Sequence, residues 1–254
     1  MSVQSEVDEY VNRSLGTFTK SISTRDAFFG PSAFVDLIHQ VQLDISGADI
    51  SFAAPLSYST VIPSGDITVG DLFNIYRYEN LLYTMELSGK EILDYLNFSY
   101  SGWFEHMNST ADHLIKFKED STGRHGTARP YYHFDSGMGI NYQVDVSQAE
   151  GQMVSVSSMA DGQAFDLQKK YLVALNSYRG NGGGGHLVDG AGIPHDELVG
   201  KIVKSTEKNL RFYMMKWIEQ KKVVDLKSSN QWIVIPENYA KAGIKRDYPI
   251  LFRN

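Results

Sequence analysis

The chain has 254 residues, no cysteine and a formal net charge of −6. Its length suits one domain with a substantial core, and the missing cysteines exclude disulfides, thiolate metal sites and cysteine nucleophiles. The acidic balance argues against a nucleic acid polymer as partner, which needs a basic footprint, and no apolar run is long enough for a membrane span.

The opening "MSVQSEVDEY" is polar and carries no signal peptide; it reads as a cytosolic start or as a processed or trimmed export form. Residues 4–14 read as a short helix. Pro31 stands where a second helix would open, and Phe34, Leu37, Ile38 and Val41 share one helical face. Ile50 and Phe52 alternate in a strand running into a turn at Pro55. "PSGDIT" reads as a turn, "VGDLFNIY" as a short helix and "YENLLYTMEL" as a strand. Ser88 and Glu91 make an S-x-x-E capping box, opening a helix with Ile92, Leu93 and Leu96 on it. Residues 101–130 read as a long polar excursion containing several histidines. "INYQVDV", "MVSVSSM" and "KYLVALNSY" read as strands. Residues 194–222 are predicted to form one long amphipathic helix, with Leu198, Ile202, Leu210, Met214 and Trp217 inward and lysines outward. "QWIVI" is a late strand, and 236–254 a tail. Strands and helices intersperse without strict alternation. The expected class is therefore α+β, a mixed β-sheet covered by helices in a single domain.

Two stretches stand out as candidate sites. In "NSYRGNGGGGH", residues 176–186, Gly180, Gly182 and Gly185 match G-x-G-x-x-G. A dinucleotide site needs a helix opening on the last glycine, and "HLVDGAGIP" is loop-like. No lysine and Ser/Thr pair follows, which excludes a P-loop. The run is either a surface turn, or a permissive backbone beside Tyr178 that presents a ring face for stacking. "IYRYENLL", residues 75–82, is similarly open: its alternate aromatics either pack into the core or belong to a site. None of the seven histidines lies in H-E-x-x-H or H-x-H, and no G-x-S-x-G elbow exists. No catalytic residue and no metal ligand is assigned.

Taken together, "FFGPSAFVDLIHQVQL", "ADISFAAPLS", "GDITVGDLFNIYRYENLLYTMELSGKEILDYL", "FDSGMGINYQVDV" and "YLVALNSYRGNGGG" occur in one order over about residues 8–235. They resemble the C-terminal substrate-specificity domain of the 5'-nucleotidase and 2',3'-cyclic-nucleotide 2'-phosphodiesterase/3'-nucleotidase family. The resemblance implies a base sandwiched between two rings, here Tyr78 and Tyr178. It makes Asn80 a polar contact to the base and Gly139 a close backbone approach. It also places Asn176, Gly182 and Gly183 in the segment that shapes the nucleoside pocket.

Two departures from the family pattern bear on the substrate. The 5'-nucleotidase branch carries a substrate-binding arginine before the G-D-x-T turn, and here no arginine lies between Arg25 and Arg77. "AAP", "YRYEN" and the two tyrosines are more similar to the cyclic-phosphodiesterase branch. Gly184 also replaces the acidic residue often found after the double glycine. The family's chemistry resides in an N-terminal metallophosphatase domain with a divalent metal pair, and its D-x-H, G-N-H-[DE] and G-H-x-H patterns are missing here. The resemblance thus implies a nucleoside- or nucleotide-binding domain that needs no cofactor of its own. It serves a metallophosphatase domain or subunit and is exported to the periplasm or cell surface. The competing readings are a free-standing nucleoside-binding protein and an interaction domain that has lost the pocket.

Overall fold

The structure, a computed structural model, describes residues 3–119 and 125–252, so 120–124 of the expected excursion lie outside it. The elements begin with α1 (Val3–Val11), β1 (Ser14–Phe18), β2 (Ile22–Ser23), α2 (Ala33–Ser46) and β3 (Ile50–Ala53). Next come β4 (Val61–Ile62), β5 (Gly65–Thr68), α3 (Val69–Ile75), β6 (Leu81–Ser88) and α4 (Gly89–Ser101). They are followed by β7 (Phe117–Glu119), β8 (His125–Thr127), β9 (Ser136–Met138), β10 (Ile140–Asp145), β11 (Val154–Met159) and β12 (Lys170–Asn176). The last are α5 (Ser177–Gly180), β13 (Ile202–Asn209), α6 (Leu210–Lys221), β14 (Val223–Val224), β15 (Trp232–Ile235) and α7 (Glu237–Leu251).

The central sheet has the order β13-β6-β12-β3-β9, and within it only β12 and β3 run parallel. Successive strand side chains point to opposite faces. Tyr171, Val173 and Leu175 of β12 therefore join Met85 and Leu87 of β6 in one core, while Ala174 and Leu82 enter another. The first core is rich in aromatics and is closed by α4 and by a second sheet, β11-β10-β15. The second core is closed by α2, α3 and α6. The result is an α+β domain with a mixed sheet between two cores. Each fully buried Leu, Ile or Phe contributes about 1.5–3 kcal/mol, so both layers hold the sheet.

Local signals explain most helix ends. In α2, Ser32 is the N-cap and accepts from the Val35 N–H at 3.3 Å, while Pro31 lies just outside. Phe34, Leu37, Ile38 and Val41 are all buried, as their spacing predicts. The capping box of α4 is complete: the Glu91 N–H donates to Ser88 Oγ at 3.2 Å, and the Ser88 N–H to Glu91 Oε2 at 2.7 Å. The turn expected in "PSGDIT" closes early, since Gly65–Thr68 is β5 and pairs with β1.

Two expectations are corrected. Residues 194–222 are not one helix. After two short 3-10 turns, β13 pairs antiparallel with β6, and only Leu210–Lys221 is helical. Leu198, Leu210, Met214 and Trp217 are still buried. The apolar spacing alone does not separate the two forms, because the open edge of β6 supplies the backbone partners that decide the matter. Nor is 236–254 a tail. It contains α7, which buries Ala240, Gly243, Asp247 and Leu251. Those positions follow helical spacing, but small or acidic residues occupy three of the four, so the apolar signal is weak. Asp247 accepts from the N–H groups of Leu114 and Ile115 at 2.7 and 2.9 Å, tying the helix to the loop after α4.

Candidate binding site

The parallel neighbours β3 and β12 end on the same side of the sheet, and antiparallel β6 begins there: Asn176 pairs with Leu82. Three loops converge at this end. The first follows α3. That helix stops at Ile75, and the chain runs through Tyr76 to Asn80 before entering β6. Tyr76 is 1% exposed, and its ring belongs to the core, whereas Tyr78, two residues on, is 37% exposed. The Asn80 amide donates to the Tyr76 hydroxyl at 3.4 Å. Burial pushes the Tyr76 hydroxyl pKa well up, so it stays protonated.

The second loop follows β12. Asn176 caps the short helix α5, its Oδ1 accepting from the Arg179 N–H at 2.9 Å. Ser177 Oγ accepts from the Leu81 N–H at 3.0 Å, which joins this loop directly to the first. Tyr178 is 44% exposed. The glycines turn the chain back beneath it. Gly182 has φ of +89°, and a Cβ on Gly183 would stand 2.5 Å from both the ring and the carbonyl of Tyr178. Gly183 thus backs the tyrosine, while Gly182 faces His195 and Leu198, and neither lines the space in front of the ring.

The third loop, 130–135, bridges the other two. The Tyr132 ring lies edge-on to Tyr78 with centroids 6.4 Å apart. His133 lies nearly parallel to Tyr178 at 6.2 Å, with Nε2 3.2 Å from its hydroxyl. Beneath them Arg179 is buried and forms a bidentate pair with Asp135, Nε to Oδ2 at 2.8 Å and Nη2 to Oδ1 at 2.9 Å. The same guanidinium donates to the Tyr132 carbonyl at 2.7 Å and the Gly183 carbonyl at 3.2 Å. Each of the three guanidinium nitrogens of Arg179 thus has a partner in the protein.

Electrostatics follow from this packing. Burial opposes ionisation of Asp135, but Arg179, His186 and donated hydrogen bonds outweigh it and hold the carboxyl at about 2. Burial, with Arg179 nearby, pushes His186 down to about 3. Its Nε2–H donates to the His133 carbonyl at 2.9 Å. His133 is also lowered, by burial first and by Arg179 second. At neutral pH the floor of the site holds one balanced ion pair and neutral histidines.

Between the loops is a cavity of about 260 Å³, lined by Leu56, Tyr78, Asn80, Tyr132, Asn176, Tyr178 and Arg179. Four residues singled out in the sequence, Tyr78, Asn80, Asn176 and Tyr178, meet there. Gly139 does not. It joins β9 to β10 with φ of +99°, and a Cβ there would stand 2.2 Å from the Asp49 carbonyl. The strand register puts it level with Ile50, about three residues or roughly 10 Å along the sheet from the cavity end. Its close approach in the structure is to the backbone of Asp49 and Ile50 at the start of β3. Sequence reasoning missed Leu56, Tyr132 and Arg179. The tyrosine pair in "RPYYHF" and the one arginine beside the glycine run were the available signals. Among the described residues, no group of three or more His, Asp or Glu could hold a metal ion. Nor is any described helix long and apolar enough to cross a membrane.

A cavity with apolar, ring-lined walls and a few convergent amides, at the carboxyl ends of parallel strands, has the form that small-molecule sites take. Residues 14–189 match the family described as 5'-nucleotidase, C-terminal domain, and the chain belongs to that family. It is 28% identical over 193 residues to the trifunctional nucleotide phosphoesterase protein YfkN of Bacillus subtilis, covering 71% of this chain and 12% of that protein. It is 30% identical over 136 residues to the 2',3'-cyclic-nucleotide 2'-phosphodiesterase/3'-nucleotidase of Salmonella typhimurium, covering 48% of this chain and 20% of the relative. The fold is similar to that of the 5'-nucleotidase precursor of Thermus thermophilus, with a TM-score of 0.69 at 22% identity, over 92% of this chain and 41% of that one. The chain thus spans less than half the length of each. The family is the substrate-binding domain of nucleotidases and cyclic phosphodiesterases.

Proposed function

We propose that this domain holds a nucleoside or nucleotide for a metallophosphatase, a companion domain or separate subunit, whose divalent metal pair hydrolyses the phosphoester. In this reading the base lies between the rings of Tyr78 and Tyr178. Asn80 and Asn176 offer amides to its edge, and no residue of this chain does chemistry. The observation that carries the reading is the meeting of Tyr78 and Tyr178, 100 positions apart, in one cavity with both asparagines. Stacking on aromatic faces tolerates every base, which suits an enzyme of broad substrate range. Each guanidinium nitrogen of Arg179 already has a protein partner, so in this reading the base and sugar carry most of the binding. Export to the periplasm or cell surface belongs to the same proposal, and cell fractionation tests it.

Calorimetry with adenosine tests the site. Tyr78→Ala and Tyr178→Ala are each expected to weaken binding by about 1–3 kcal/mol, and Tyr→Phe at either position by little. Adenosine, 3'-AMP and 5'-AMP are expected to bind within about tenfold of one another. Unchanged affinity in both alanine variants, or metal-dependent nucleotide hydrolysis by the purified chain alone, would overturn the proposal.

A further inference from the structure

We infer that Arg211 is a positioning residue for the binding site, although it does not line the cavity. It lies in the first turn of α6, 135 residues from Tyr76 in the sequence. Its Nη1 donates to the carbonyls of Tyr76 at 3.3 Å and Arg77 at 3.1 Å. Its Nη2 donates to Glu79 Oε1 at 3.1 Å. Its guanidinium carbon sits 4.1 Å from the centroid of the Phe73 ring. Next to it, the Leu210 N–H donates to the Asn80 carbonyl at 2.8 Å. The start of α6 therefore grips the chain on both sides of Tyr78.

The grip matters because of what the segment lacks. Residues 76–80 belong to no helix or strand, so no ladder of backbone bonds fixes their shape. Tyr76 is anchored by its buried ring, and Leu81 by Ser177 and the sheet. Between these anchors, Tyr78 lines the cavity with its ring half-exposed, edge-on to Tyr132. A planar guanidinium holds two carbonyls and a carboxylate through a rigid fork of donors, whereas an ammonium offers three donors at a single point on a flexible stem. Holding a binding residue in its productive position before the ligand arrives raises affinity without any new contact. The side chain of Arg211 is 13% exposed, while that of its partner Glu79 is 77% exposed. The two carbonyls, rather than the ion pair, form the durable part of the grip.

This inference rests on the nucleoside reading, and its test separates the two. Adenosine binding is measured by calorimetry on the parent, Arg211→Ala, Tyr78→Ala, Tyr178→Ala and the two double variants, with a thermal melt of each. Arg211→Ala is expected to weaken adenosine binding roughly threefold to thirtyfold, within the coupling range of residues sharing one network. The loss should vanish when Tyr78 is already alanine and persist when Tyr178 is alanine. A residue that only stabilises the fold would lower the melting temperature and leave the affinity unchanged, or weaken it equally in all backgrounds. Either result overturns the inference. Arg211→Lys serves the same cycle if the alanine variant does not fold. Failure of the parent to bind adenosine would instead sink the nucleoside reading itself.

Discussion

Tyr76 and Tyr78 sit two positions apart in the same extended segment, yet one ring is sealed in the core and the other faces a cavity. The difference arises from what each meets after folding. Tyr76 joins the layer closed by α2, α3 and α6, while Tyr78 projects beyond the sheet end. Arg179 shows the same dependence on context. In the sequence it is one more polar residue beside glycines, but folded it is a buried cation on Asp135, bonded to the carbonyls of two loops. Removing one partner of such a pair strands a buried charge. Arg179→Met is therefore expected to destabilise the domain by roughly 3–5 kcal/mol in urea unfolding. Arg179→Met combined with Asp135→Asn should recover a large part of that loss. A double variant as unstable as the sum of the singles would show that charge compensation is not what holds the loops.

Elements divide by how local their signals are. The capping box of α4 and the Ser32 cap of α2 each lie within a few residues, so both helices are legible from the chain. β13 is not, because its backbone bonds go to β6 more than a hundred residues earlier. α7 is a third case. Its buried face carries an aspartate whose purpose is visible only with its partners, the Leu114 and Ile115 N–H groups. Asp247→Ala is expected to cost about 1–3 kcal/mol for each buried donor left unpaired, and to open the loop after α4 to proteolysis. Asp247→Asn, which keeps an acceptor, should cost less. Parent-like melting and protease resistance in Asp247→Ala would show that α7 does not hold that loop.

The molecule as a whole titrates through histidines it has buried. His39 lies between Ser51 and Ser136 and is pushed by burial from 6.5 to about 3. His186 is also lowered to about 3. In both, the folded pKa lies below the unfolded one, so the unfolded chain takes up protons first as the pH falls. Their contribution to stability is complete above about 6.5 and is lost progressively toward about 3. The slope approaches 1.4 kcal/mol per pH unit for each, about 2 kcal/mol apiece between roughly pH 6.5 and 5. Urea midpoints near pH 7.5 and pH 5 should differ accordingly, and His39→Asn should reduce the difference. A midpoint that does not move between those conditions would overturn this account.

The amino-acid sequence by itself determined the α+β class, the capped helices, the alternating strands and, through segment order, the family. It also determined four of the residues that meet in the cavity. These features are written in spans of a few residues, where side-chain period and cap chemistry act, or in motifs that survive without their surroundings. Only the tertiary structure decided which tyrosine faces the cavity, that Gly139 packs against β3, that Tyr132 and Arg179 line the cavity, and that Arg211 reaches the carbonyls beside Tyr78. Those outcomes depend on contacts between residues far apart along the chain. No local pattern encodes whether a ring is covered, or which carbonyl a guanidinium will reach, until the layers close.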